Sequence, residues 1–171
     1  TAQETITATI PATALVAGNA IVATPTFTID VVAVTVSITR TAGDGIISYG
    51  SVNINSSTNT LPSAIGDVET FQNNGNVAEQ FSIKTFNATS SGGVTWTVGS
   101  SPGTNIYTHS FATNTAATWQ VLDAADTYEV ASSSVAVNGT LDIYLRIQTP
   151  TVTSDYAQKN IYLTVFAEQA P

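Results

Sequence analysis

The sequence predicts an all-β protein, an antiparallel β-sandwich with an extended N-terminal strand. Three observations point to this. Apolar and polar residues alternate at period two through most of the chain. Clusters of Gly, Pro, Asn, Asp and Ser, the residues of turns, separate these runs. Roughly nine or ten such runs follow one another at short spacing, with no repeat of fixed period, as in a sandwich.

The first run is the most informative. Its odd positions are Thr1, Gln3, Thr5, Thr7 and Thr9; its even positions are Ala2, Glu4, Ile6, Ala8 and Ile10. Apart from Glu4, that is one polar and one apolar edge, the pattern of a half-buried strand. Pro11 and a small-residue stretch, Ala12–Ala20, follow as a connector. Residues 1–19 therefore read as an arm and linker, and 20–171 as the sandwich domain. The arm has two destinations: it is the first strand of its own sheet, or it completes the sheet of a neighbour. The second is the expectation adopted, with Ala2, Glu4, Ile6, Ala8, Ile10 and Ala12 as the residues that enter the neighbour.

Residues 27–39 give the longest strand signal, with a phase flip at Val31-Val32. The flip means a β-bulge, or else a central strand buried on both faces. A turn at 41–45 leads to a strand over 46–55, and a loop to 67 to a strand over 68–71. Asn73-Asn-Gly-Asn76 predicts a hairpin turn. Further strands are expected over 77–86, 94–98 and 106–111. Residues 116–125 fit a helix or a short strand. Short strands follow at 128–131 and 135–137. Over 139–148, Leu141, Ile143, Leu145 and Ile147 share one face, opposite Asp142, Tyr144, Arg146 and Gln148. A hairpin loop at 150–158 precedes a last strand over 160–167, with Ile161, Leu163 and Val165 inward.

Composition narrows the function. The net charge is −8, from 12 acids and 4 bases, which excludes a nucleic-acid or anionic-membrane partner needing clustered Lys and Arg. Charged residues make up 9% of the chain against roughly 25% in a typical domain, so Thr, Ser, Asn and Gln provide its polar surface. Few bases also means few guards on sheet edges. There is no Cys, hence no disulfide framework. The absence of Met and the start at Thr1 are expected of a secreted chain whose signal peptide has been cleaved. No apolar run approaches the ~18 residues of a membrane span.

Several stretches resemble a known family. They are Ile47-Ser-Tyr-Gly-Ser-Val52, Asn73-Asn-Gly-Asn-Val77 followed by Phe81-Ser-Ile-Lys84, and Gly92-Gly-Val-Thr-Trp96. Thr149-Pro-Thr151, Ser154-Asp-Tyr156 and Thr164-Val-Phe-Ala167 complete the set. Together they resemble the TasA/camelysin family of biofilm-matrix fibre proteins and its archaeal bundling-pilus relatives, over about 47–167. The resemblance implies a jelly-roll-like sandwich on the cell surface. Its N-terminal arm would enter a groove in the next identical subunit, giving head-to-tail filaments that bundle with their neighbours. The arm matches the family by position, not by a motif. Camelysin-like members have been called metalloproteases, but this chain has a single His, His109, and no His-Glu-x-x-His, so that activity does not carry over.

Other candidates are weaker. His109 lacks partners at metal-ligand spacing, and no Gly-x-Ser-x-Gly supports a hydrolase. Asp30, Asp44, Asp67, Glu69, Asp123, Asp126, Asp142 and Asp155 are the carboxylates that a Ca²⁺ ion bridging subunits would draw on, though without EF-hand spacing. No other cofactor is expected. Asn55, Asn87 and Asn138 each begin an Asn-x-Ser/Thr glycosylation pattern. Trp96 and Trp119, with the tyrosines 49, 107, 128, 144, 156 and 162, would serve a sugar-binding platform. A secreted carbohydrate-binding or surface-layer module is accordingly the alternative to a non-enzymatic filament subunit.

Overall fold

The cleanest alternation in the sequence builds the longest strand, β9 (Thr140–Gln148), and the larger sheet assembles around it. A computed structural model describes residues 33–91 and 93–171. Ile143, Leu145 and Ile147 are buried on one face of β9, as the pattern predicts. One flank of β9 is shared by β3 (Glu69–Asn73), in register Glu69↔Ile143, and β2 (Ser57–Asn59), in register Ser57↔Gln148. The other flank takes β6 (Ile106–Ala112), with His109 opposite Ile147. β1 (Ile38–Ala42) extends the sheet beyond β3. Beyond β6 lie β7 (Gln120–Leu122) and, in parallel, β5 (Thr97–Val98). This sheet has seven strands.

The second sheet has three, in the order β10-β4-β8, all antiparallel. Its central strand β4 (Glu79–Thr85) turns Phe81 and Ile83, both fully buried, toward the core. β8 (Glu129–Val135) and β10 (Leu163–Gln169) flank it. The largest apolar cluster joins the two sheets: Ile83 of β4 meets Phe111 of β6, Ile143 and Leu145 of β9, and Leu163 and Val165 of β10. The described residues thus form an all-β structure without a helix, in two mostly antiparallel sheets.

Several sequence expectations change. The turn at 73–76 is present, but β3 and β4 leave it for different sheets. Asn73 is the reason: wholly buried, it donates through Nδ2 to the Val77 and Val135 carbonyls, at 2.8 and 2.9 Å, and accepts from Gly75 N–H. The side chain closes the turn that a two-strand ladder would otherwise close. In the same way 149–162 links β9 to β10 across the two sheets. Residues 46–55 form no strand, because Gly45, Gly50 and Asn55 take φ of 78°, 64° and 53° and interrupt extended backbone. Ile47 and Tyr49 nonetheless pack on the core. Residues 116–125 resolve to the strand β7, with Ala117 at φ 51°. The two short strands expected over 128–137 are one, β8. The arm, the 19/20 boundary and the phase flip at Val31-Val32 lie outside the described residues.

Candidate functional site

Among the described residues, β10 has a strand partner on one flank only, β4. Beside it the chain leaves a groove of about 1590 Å³. The missing strand at 46–55 explains the space: the segment passes the sheets without joining either. The inward residues of the larger sheet, Phe71, Ile143, Leu145 and Ile147, line the groove, together with His109 and Trp96. Gly45–Ile54, Tyr156–Val165, Arg40, Glu69 and Thr149 supply the rest of the lining. Large apolar side chains stand in water here: Ile46 is 73% exposed, Tyr156 75% and Tyr162 69%. Among the described residues, the slot thus lies over a hydrophobic core, next to a strand edge without a ladder partner.

The two ends of the groove differ electrically. At the end beside Ile143, the Arg40 side chain is 40% exposed and lies 3.6 Å from the buried Glu69 carboxylate. Glu69 also accepts from Gly45 N–H at 2.9 Å, and burial raises its carboxyl above the usual range. At the other end, beyond Ile147, sits a closed ion pair. Lys159 donates to Asp155, to Ser90 Oγ at 2.9 Å and to the Val94 carbonyl at 2.6 Å. Its ammonium lies 5.4 Å from the Trp96 ring centre. The Lys159 bond, backed by Ala157 N–H, holds the Asp155 carboxyl down at about 2. This knot fixes the stretch that carries Tyr156 and Tyr162.

His109 lies beneath the groove. Its Nδ1 meets Thr85 Oγ1 at 2.9 Å and its Nε2 meets the Tyr49 hydroxyl at 3.2 Å. Burial holds the imidazole down at about 4, so it is neutral near pH 7. Tyr107 donates to the Phe86 carbonyl, and burial pushes its hydroxyl up to about 12. Both nitrogens of His109 are thus engaged in tying the groove-lining Tyr49 to β4 and β6. That suits scaffolding better than proton transfer to a bound molecule.

The remaining candidates are scattered. Ala2, Glu4, Ile6, Ala8, Ile10, Ala12 and Asp30 lie outside the described residues. Asn55 and Asn138 are exposed, in turns at φ 53° and 61°. Asn87 is half-buried and its Oδ1 accepts from Val98 N–H at 3.0 Å. Among the described residues no group of three or more His, Cys, Asp or Glu is placed to hold a metal. Asp142 accepts from Thr70 Oγ1 at 2.7 Å, and Asp126 pairs with Lys84 at 2.5 Å. Trp96, Tyr107 and Tyr144 are buried, and Trp119 carries the Arg146 guanidinium at 5.0 Å, so the aromatics make no common platform. No described helix is long and apolar enough to cross a membrane.

Sequence reasoning did not place the groove among the strands, and did not single out Arg40. The signal was available in Gly45 and Gly50, whose positive φ breaks what reads as a continuous strand. Compared with protein-family models, with curated proteins and with solved structures, the chain finds no match.

Proposed function

We propose that the protein is a structural subunit of an extracellular filament. Molecules polymerise head-to-tail as residues 1–12 of one enter the groove beside β10 of the next. The observation that carries this reading is the groove: a β10 edge that no described strand pairs, next to a slot lined by core residues. The alternation of Ala2, Ile6, Ala8 and Ile10 supplies a complementary segment. Backbone pairing gives the incoming strand its place, and Ile6 and Ile10 each contribute about 1.5–3 kcal/mol by burial. A head-to-tail contact of this kind does not close on itself, so it propagates as a fibre. On this reading the two sheets are a jelly-roll-like sandwich completed by a neighbour, as the resemblance to the TasA/camelysin family implies. Bundling of filaments and a cell-surface location belong to the same proposal.

Deleting residues 1–12 tests it. The full chain forms filaments visible by negative-stain electron microscopy, whereas the deleted chain remains a less stable monomer. A deleted chain that still forms filaments overturns the reading, as does a full chain that stays monomeric at every concentration. Retained binding of an oligosaccharide by such a monomer would favour the sugar-binding alternative.

A further inference from the structure

We infer that Glu4 of the incoming arm pairs with Arg40 of the receiving subunit, and that this pair sets the direction of the donated strand, antiparallel to β10. The inference rests on the strand-donation reading and adds an orientation to it.

Glu4 is the misfit of the arm, a carboxylate on the edge that otherwise carries Ala2, Ile6, Ala8 and Ile10. A carboxylate entering a slot lined by Phe71, Leu145 and Ile147 needs a cation at its stopping place. The chain has four bases. Lys84 is held by Asp126, Lys159 is held by Asp155, Ser90 and Val94, and Arg146 lies on Trp119. Arg40 lines the groove and is 40% exposed, and its Nε contact to Glu69 is a loose 3.6 Å. Of the two bases that line the groove, Arg40 and Lys159, it is the more exposed, at 40% against 5%.

The position of Arg40 gives the direction. Glu69, its partner, stands opposite Ile143 in the β3–β9 register, so Arg40 marks the Ile143 end of the groove. Glu4 placed there sends the arm along Leu145 and Ile147 toward Trp96. Two-residue steps on the arm and on β9 have the same length, about 6.6 Å, so Ile6, Ala8 and Ile10 keep pace with the inward residues of β9. Along this line β10 runs the other way. Ala167 packs with Phe71 and Leu141, whereas Ile161, just before β10, packs with Ile147. The arm is therefore antiparallel to β10. Insertion in the opposite sense would bring Glu4 to the end that holds the Asp155 carboxylate, whose cation is already engaged.

The chain has no Cys, so engineered cysteine pairs report without background. Filaments of Glu4→Cys with Arg40→Cys, oxidised after assembly, give a ladder of covalent oligomers on a non-reducing gel. Filaments of Ile10→Cys with Arg40→Cys do not. A ladder from the Ile10 pair reverses the strand and overturns the inference, while strand donation stands. Cross-linked monomers in place of a ladder overturn both. Glu4→Lys, which alters the arm alone, provides a second measurement. It raises the concentration needed for polymerisation about tenfold or more, as a like-charge contact in an interface does. Adding Arg40→Glu restores assembly to within about threefold. Polymerisation unchanged by Glu4→Lys overturns the inference, whereas arm deletion separately tests the strand donation beneath it.

Discussion

His109 shows how a single side chain links the sheets to the groove. Its neutral ring bridges Thr85 and Tyr49, and burial holds it near 4, against 6.5 when free. The unfolded chain therefore binds a proton that the folded chain refuses between those values, so stability falls as pH drops from about 6.5 to 4. The full effect is on the order of 3 kcal/mol. Glu69 acts in the opposite sense: its raised carboxyl favours the fold at low pH, and that contribution is lost as pH rises through its folded value. Asp155, held at about 2 against 3.8, adds stability that is lost only below His109's window. Urea unfolding of His109→Gln against the parent isolates the first term. The difference in stability between the two narrows from pH 6.5 to 4 and stays constant above and below that range. A parallel pair of curves would show that the imidazole is not buried as described.

Between the elements, the decisive positions are the ones that stop a strand or divert it. The alternation over 139–148 was legible because every second residue faces the core, and β9 follows it closely. The same rule failed over 46–55, where apolar content suggested a strand and backbone at positive φ forbids one. It failed also at 73–76, where a hairpin pattern conceals a crossover. Which sheet a strand joins depends on a distant carbonyl, that of Val135, which Asn73 reaches from 62 residues away in sequence. No local pattern encodes that contact. Asn73→Ala removes three hydrogen bonds of a buried side chain, to the Val77 and Val135 carbonyls and from the Gly75 amide, and costs about 3 kcal/mol. Urea denaturation measures it, and a loss below about 1 kcal/mol would mean that water replaces the side chain in the turn.

At the scale of the sheets, the two that the described residues form are unequal, with seven strands against three. The sequence announced an all-β chain, but not where among its strands the groove would lie. Arg40 was invisible for the same reason: a lone base on a short strand acquires meaning only from the slot it borders. The inequality also places the chain's two tryptophans in different surroundings. Trp96 lines the groove near Lys159, while Trp119 lies under Arg146 and is not part of the lining. An occupant of the slot would seat beside one indole and spare the other. On the strand-donation proposal this gives a readout without any dye: emission from a Trp119→Phe chain, which keeps only the groove-lining Trp96, is expected to change as fibres grow, and that from a Trp96→Phe chain to stay constant. If strands are donated as proposed, the rate of that change is the rate at which grooves are filled, and one indole of the chain would keep an optical record of assembly.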